Sequence, residues 1–535
     1  MVEWTVILGI FTGLVIFIFG IEHLSKEILL LAKQKFNEIL RKSTKNRFVS
    51  TLLGTIISAL MQSSTATTVI TVSLVSTGII SFYQSLGIIF GANIGTTITV
   101  QFISLKITSL APFFMIGGFI LSIVGRSYRY LGKALFYFGL LFFGLNIISD
   151  AVLPIKDDPF ILDLFSKLSN IFIALLAGFL VTATVQSSAI TTGIVVVLAI
   201  NGIISLSQAL PILLGSNIGT TVTAFISSMR LNVFARRAAL AHSIFNVMGV
   251  LLLLPFITPF SKFIMYIGGS EAQQIANAHT IFNIAAAFVF LLFTPHFKNL
   301  IEYLIPSKDK EILLRPKYLG DKLPKSNSKS FIMIEKELLY FLDINLAMFD
   351  KSVNYIIKRT SQSEFEEIEK MEALSDLLDE KIEESLLKIS QRNLSKNEAQ
   401  KVVVLVRISN LIEQLSDMAE DIAILPRTMT KSQLILSDES RKSIEKLYSQ
   451  FRTLLIEIQK SFLSRSIEIN YSSIINSSEV FITKSYKKHI ELLSKKEAYA
   501  GSIFVESLSY IESAMEKLHD IIILNNKYSK IGKTS

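Results

Sequence analysis

The sequence predicts an all-α protein in two parts. A polytopic membrane region is built from two inverted repeats, each a re-entrant hairpin followed by a broken helix, and a soluble helical-bundle domain follows it. Three observations predict this. Residues 54–105 recur at 178–229 with a constant offset of 124, no gap, and 25 of 52 positions identical. Half of the 535 residues are hydrophobic, but charge is unevenly placed: up to residue 305 there are 18 Lys+Arg and 10 Asp+Glu, and beyond it 35 and 34. Past residue 330 apolar residues recur at helical spacing with almost no proline. A mean hydropathy of +0.49 is too apolar for an ordinary soluble chain of this length.

The elements follow in order. The N-terminal run from Trp4 to Ile21 lacks a basic flank and a small-residue cleavage site, so it reads as a retained membrane helix. Full-length apolar spans are expected near 5–24, 107–125, 131–150, 238–255 and 277–296. Loop charges orient them. The basic loops 26–47, 126–133 and 230–237 should be cytoplasmic, and the acidic loop 150–167, with Asp150, Asp157, Asp158 and Asp163, should lie outside. The first and last of these occupy equivalent repeat positions, which makes the repeats inverted. The net charge of +9 then reads as positive-inside loops and not as a nucleic-acid surface.

Parity demands an odd number of crossings in 50–105. A re-entrant hairpin at 50–76, tipped at Gln62-Ser63-Ser64, followed by one crossing at 79–105 interrupted at Gly91–Thr97, satisfies it. Segment 169–229 should repeat this from the other side, so that both interruptions meet at a central site.

The chemistry of these stretches is narrow. Segments 48–105 and 168–229 contain no Asp, Glu, Lys, Arg or His, and Tyr83 is their only ionisable side chain. A proton relay through protein carboxylates or imidazoles is therefore excluded within them. Sodium suits hydroxyl, amide and carbonyl oxygens, and half-helix N-termini after Gln62-Ser63-Ser64 and Gln186-Ser187-Ser188 suit an anion. Such Ser and Thr residues can also serve helix packing alone. With no fixed cation, an anion here needs co-bound sodium. Carrying a divalent anion inward against 100 mV costs about 4.6 kcal/mol and each Na⁺ returns about 2.3. With no cysteine in the chain, disulfides and thiolate sites are excluded, and no constellation suggests an enzyme. A smaller echo, Ala241-His242-Ser243-Ile244-Phe245-Asn246 and Ala278-His279-Thr280-Ile281-Phe282-Asn283, fits either helix packing or a function.

Together, Gln62-Ser63-Ser64-Thr65 and Gln186-Ser187-Ser188-Ala189, each followed by Asn-Ile-Gly-Thr-Thr, resemble the type II sodium/phosphate cotransporter family over about residues 5–300. The resemblance implies a phosphate and sodium shell at Gln62, Ser63, Ser64, Gln186, Ser187 and Ser188. Asn93, Thr96, Thr97, Asn217, Thr220 and Thr221 are added as sodium-ligand candidates from the symmetry of the repeats and the expected helix breaks, and Thr65 as the hydroxyl that follows the first motif. A third serine common in the family is Thr65 in one repeat and Ala189 in the other, which leaves the ion number open.

Residues 301–330 read as a linker containing Pro306, Pro316 and Pro324. Six helices are expected beyond it, near 331–359, 363–391, 395–425, 437–466, 469–496 and 499–527. A match at offset 99 between the stretches around Leu411 and Tyr510 suggests two three-helix bundles. The layout resembles a PhoU-like domain. That resemblance implies divalent metal on Glu413, Asp417, Glu512 and Glu516, and the alternative is a solvated acidic face.

The whole reads as a sodium-coupled phosphate importer: domain 1–300 (repeats about 5–125 and 131–296) in the bilayer of a prokaryotic inner membrane, and a regulatory domain 331–535 in the cytoplasm. Its expected partners are inorganic phosphate, sodium ions, lipid and, through the helical domain, a second copy. A transporter of another oxyanion and a membrane phosphate sensor are the alternatives.

Overall fold

The computed structural model describes residues 4–32, 46–104, 107–124, 128–307, 311–320, 322–358, 362–432, 436–464, 480–487 and 501–533. The basic residues expected at 33–45 and Arg126 lie outside these ranges, as does most of the helix expected at 469–496, of which 480–487 is helical. No strand occurs among the described residues. The chain divides into two compact units, Met1–Glu311 and Ile312–Ser535.

In the first unit the repeat is written into the helix boundaries. Helices α1 (Trp4–Ala32), α2 (Arg47–Met61), α3 (Ser64–Ser76) and α4 (Phe82–Ser104) lead to α5 (Ala111–Val124) and α6 (Arg129–Val152). After the short α7 (Pro159–Ser166) come α8 (Ile171–Val185), α9 (Ser188–Ile200), α10 (Leu206–Gly219) and α11 (Thr221–Ser228). Every end of α8 and α9 lies 124 residues after the matching end of α2 and α3, and α10 starts 124 residues after α4. The unit closes with α12 (Val233–Leu253), α13 (Ile257–Ile267), α14 (Glu271–Leu292) and α15 (Thr294–Leu304).

Six helical segments are long and apolar enough to cross a membrane, and seven if the pair bent by 105° at Asn170 counts as one. The expected span at 107–125 is shorter than predicted: a 3-10 turn over Ile107–Leu110 precedes the 14-residue α5. The hairpin arms α2 and α3 have 15 and 13 residues. At 1.5 Å per residue these are roughly 22 and 20 Å long, short of the ~30 Å hydrocarbon thickness.

The expected break in the first long helix fails. Helix α4 runs unbroken through Gly91–Thr97. The second copy is interrupted only at Thr220, between α10 and α11. The glycines serve close packing, not unwinding. A Cβ on Gly91 would stand 1.9 Å from the Thr51 carbonyl oxygen, and one on Gly95 2.3 Å from that of Thr55. Gly54 on α2 answers from the other side, 2.2 Å from the Ile88 carbonyl oxygen. Gly178, Gly215 and Gly219 repeat the pattern between α8 and α10. Gly87, Gly91 and Gly95 thus form one small-residue face on which the hairpin arm lies. From sequence, glycine as breaker and glycine as contact surface look alike, and here packing wins.

In the second unit, α16 (Asn327–Lys358), α17 (Gln362–Ser390), α18 (Lys396–Ser432), α19 (Asp438–Ser464) and α20 (Gly501–Lys533) share one apolar core that includes Phe341, Leu374, Ile412, Phe451 and Leu518. The matching stretches around Leu411 and Tyr510 lie on α18 and α20, which pack against each other. They therefore share a core, where two separate bundles were expected. The fully buried carboxylate of Glu337 accepts hydrogen bonds from the backbone N–H groups of Lys317, Tyr318 and Leu319 at 2.6–2.7 Å, tying part of the expected linker to α16.

Candidate functional site

The two hairpin tips are built alike. Gln62 and Gln186 are the only non-glycine residues with positive φ among those described, at φ 51° and 59°. Each occupies the left-handed position that ends the first arm, where glycine is the usual choice. Holding an amide side chain in this conformation at both tips costs strain, and strain of this kind collects at functional positions. Ser63 and Ser187 follow in extended conformation as N-caps of α3 and α9, so both second arms begin at the tip.

The hydroxyls sort by what their protons do. Ser63 Oγ accepts from the Ala66 N–H at 3.1 Å, which leaves its own proton free to donate to an anion. The first-turn amides of α3 and α9 lack intrahelical acceptors and add further donors. Thr96, Thr97 and Thr221 do the opposite. They donate to the carbonyls of Asn93, Ile94 and Ile218 at 2.8–2.9 Å, so only oxygen lone pairs remain for a ligand, which suits a cation.

The second arm of each hairpin packs against the other repeat. Helix α3 packs against α4 of its own repeat and α11 of the other, and α9 packs against α10 and α4. Thr65 Oγ1 lies 3.3 Å from both the carbonyl and the hydroxyl oxygen of Thr220, at the interruption of the second long helix. That is long for an O–H···O hydrogen bond, typically about 2.7–2.8 Å. It matches neighbouring ligands set at right angles around a cation with ~2.4 Å bonds to oxygen. The equivalent contact cannot form at Ala189, which has no hydroxyl.

Several polar atoms in this region are buried without a protein partner: Ser58 Oγ, Gln62 Oε1, Thr68 Oγ1 and Thr192 Oγ1. Thr68 and Thr192 are the same position in the two repeats, both fully buried. Such orphans are uncommon and ask for an ion or water. Neither threonine is among the candidates selected from sequence, although their identity at offset 124 is a usable signal. In the second repeat Thr182, the counterpart of Ser58, is satisfied by Thr191 at 2.7 Å and Ser216 at 2.8 Å. The first repeat has Ala92 in place of Ser216, so Ser58 loses that partner.

Asn93 and Asn217 are held from outside the matching stretches 54–105 and 178–229. Asn93 bonds to His242 and Asn246 on α12, and Asn217 to His279 and Asn283 on α14, all four buried. The His-Asn echo therefore supports the second motif directly.

In the second unit the structure gathers Glu372 and Asp376 of α17 with Asp417 of α18, one oxygen from each lying within 4.8 Å of the others. Burial, then the neighbouring Asp376, Glu420 and Asp417 carboxylates, pushes the Glu372 carboxyl up to about 7. Burial and the Asp417, Asp379, Asp376 and Glu383 carboxylates push Glu413 to about 7 as well. An all-carboxylate set whose charges repel fits a hard divalent cation. Of the four expected metal ligands Asp417 joins this group, Glu413 stands beside it, and Glu512 and Glu516 fall in no such group among the described residues. Glu372 and Asp376 were missed. Their i, i+4 spacing on a predicted helix was the available signal.

The sequence model of the Na⁺/Pi-cotransporter family matches residues 16–150 and 161–294, and that of the PhoU domain residues 341–425. YqeW of Bacillus subtilis is 34% identical over 269 residues, which is 50% of this chain and 88% of that protein. YjbB of Escherichia coli K12, whose name proposes inorganic phosphate export, is 23% identical over 467 residues, 86% of each chain. The sodium-dependent phosphate transport protein 2A of Rattus norvegicus is 44% identical over 94 residues, 16% of this chain and 15% of that one. No solved structure matches the chain. With the repeat, the apolar helices and half of its length matched, the chain is a membrane protein of the Na⁺/Pi-cotransporter family, carrying a PhoU domain behind the transport region.

Proposed function

We propose that the chain is a sodium-coupled importer of inorganic phosphate in a prokaryotic inner membrane, with its two repeats inverted and its PhoU domain on the cytoplasmic side. Phosphate sits between the hairpin tips, on Gln62, Ser63, Ser64, Gln186, Ser187 and Ser188. Sodium takes the oxygens of Thr65, Thr96, Thr97, Thr220 and Thr221, with Asn93 and Asn217 anchoring the helices that carry them. The observation that carries this reading is the contact of Thr65 with Thr220, which joins the tip of one repeat to the helix interruption of the other with oxygens spaced for a cation.

The electrostatics support coupling. Neither repeated segment carries a formal charge, so an anion in the site is neutralised only by ions that bind with it. Each ion then raises the affinity for the other, and half-loaded carriers, which hold a net charge, are disfavoured from crossing, while the empty carrier, which holds none, returns. The PhoU domain, with divalent metal on its carboxylates, regulates the flux.

The test is radioactive phosphate uptake by proteoliposomes of the full chain, with an inward Na⁺ gradient or K⁺ in its place. Na⁺-dependent uptake, lost in the Ser64→Ala/Ser188→Ala variant at equal reconstitution, is expected. Equal uptake in K⁺ sinks the coupling, and sulfate competing as well as arsenate sinks the substrate. Export is the second reading, favoured by the name of the E. coli relative that aligns along most of the chain. Phosphate-loaded vesicles that empty faster than they fill under matched gradients would select it.

A further inference from the structure

Two buried imidazoles lie against the transport motif, and the hydrogen bonds around them have a fixed direction. On α12, Asn246 Nδ2 reaches the backbone carbonyl oxygen of His242 at 2.9 Å. A carbonyl can only accept, so this contact fixes the amide of Asn246 with its nitrogen towards His242 and its oxygen outward. That oxygen accepts from Asn93 Nδ2 at 2.6 Å. Asn93 Oδ1 is then turned to His242 Nε2, 3.2 Å away, and an oxygen accepts. The proton must be on Nε2.

The second copy repeats each step. Asn283 Nδ2 donates to the His279 carbonyl at 2.8 Å, Asn217 Nδ2 donates to Asn283 Oδ1 at 3.1 Å, and His279 Nε2 meets Asn217 Oδ1 at 3.0 Å. His242 and His279 are 0% and 3% exposed, and neither Nδ1 has a protein partner. The arrangement therefore uses one nitrogen of each ring and leaves the other idle. A packing role alone gives no reason for the same directed chain to end on the same motif residue in both copies.

We infer that His242 and His279 are positioning residues: as neutral, Nε2-protonated imidazoles they hold the Asn93 and Asn217 amides, and with them the Thr96-Thr97 and Thr220-Thr221 oxygens one turn on, in register for the transported ions. This rests on the sodium and phosphate reading above. The imidazoles touch neither ion. They fix α4 to α12 and α10 to α14 at the level of the site, and they leave each asparagine oxygen a second lone pair. Neutrality is part of the device, because a formal positive charge there would oppose sodium.

Two measurements test it, and they fail separately. In the full-length protein labelled with ¹⁵N-histidine, the resonances lost in His242→Gln and His279→Gln should carry nitrogen shifts of the Nε2–H tautomer at neutral pH. The Nδ1–H tautomer or an imidazolium would overturn the proposal whatever the protein transports. In proteoliposomes, His242→Leu should raise the Na⁺ concentration for half-maximal uptake about tenfold, the effect of one lost and one orphaned buried hydrogen bond, with maximal rate little changed. His242→Gln, which can present an Nε2–H donor, should recover most of that loss, and His242→Leu should add little on top of Asn93→Leu. Leu and Gln variants that are equally impaired, or a fall in maximal rate alone, would leave the histidines as ordinary packing and overturn the proposal. No phosphate uptake by the wild-type chain would instead remove the transport reading, while the tautomer result would still stand.

Discussion

Thr65 Oγ1 and the carbonyl oxygen of Thr220 stand 3.3 Å apart, although 155 residues separate them. One belongs to the first hairpin tip and the other to the helix interruption of the second repeat. The equivalent pair, Ala189 and Thr96, has no tip hydroxyl to bring. On the sodium reading, one of two related cation positions is therefore better equipped than the other. Thr65→Ala should raise the half-maximal Na⁺ concentration for uptake about tenfold, and Thr65→Ser should restore it. Ala189→Ser should steepen the sodium dependence by supplying the missing oxygen. Flux titrated against Na⁺ checks all three, and an unaltered curve for Thr65→Ala refutes the assignment.

Gly91 and Gly215 test whether the glycines are contact surfaces. A Cβ at either would lie 1.9 Å from a backbone carbonyl oxygen of the adjoining hairpin arm, and backbone cannot step aside as a flexible side chain can. Gly91→Ala and Gly215→Ala should each cost about 2–4 kcal/mol. Gly117→Ala, with nothing within 4 Å, is the control and should be neutral or slightly stabilising. Thermal unfolding in detergent compares them. A helix-breaking role for the glycines predicts the reverse, with alanine raising stability.

Gln62 separates backbone from side chain. With φ at 51°, Gln62→Gly relieves the left-handed strain while Gln62→Ala keeps it, and both remove the amide. The glycine variant should be more stable than the alanine variant by about 1 kcal/mol. Both should lose phosphate uptake. Unfolding curves read the first effect and flux the second. A Gln62→Gly protein that transports normally would leave the amide without a role.

The carboxylates around Glu372 give the PhoU domain a pH signature. Burial and mutual repulsion raise Glu372 and Glu413 from 4.5 to about 7 in the folded chain. The folded state then holds protons that the unfolded state releases. Stability from these groups is full below about pH 4.5 and declines as pH climbs to about 7. Because both groups are partly solvated, about 1 kcal/mol is expected after screening. Amide hydrogen exchange in α17 and α18 of the full chain, corrected for the intrinsic acceleration of amide exchange with pH, should quicken over that range. Mn²⁺ should slow it again at pH 7.5, and Glu372→Gln with Asp376→Asn should abolish the metal response. Exchange that ignores both pH and Mn²⁺ would return the cluster to a solvated surface.

Much of the architecture was legible because it was written twice. The offset of 124 between Gln62 and Gln186 carried hairpin, tip and long helix together, and the structure repeats the boundaries at that same offset. The unbroken α4 was not legible. Gly91 and Gly95 permit both a break and a close approach, and only the neighbouring Thr51 and Thr55 carbonyls decide between them. The hold of His242 on Asn93 was also hidden, since 149 residues lie between them and sequence spacing carries no trace of the contact. Glu372 is legible in principle: it and Asp376 share a helix face at i, i+4 spacing, but they lie one helix upstream of the match around Leu411 that points to Glu413 and Asp417.

Gln62 is 9% exposed, while its twin Gln186 is open to the surface. On the inverted-repeat reading, two copies of one instruction are being executed differently at the same moment. The chain then carries a description of its own other conformation: exchange the roles of the copies, so that Gln186 is covered and Gln62 uncovered. No new kind of contact is required. What separates the two conformations in free energy is confined to positions where the copies disagree, among them Thr65 against Ala189, Ala92 against Ser216 and Gly87 against Pro211. On that reading such mismatches, and not the shared motif, set the side of the bilayer on which the unloaded protein waits.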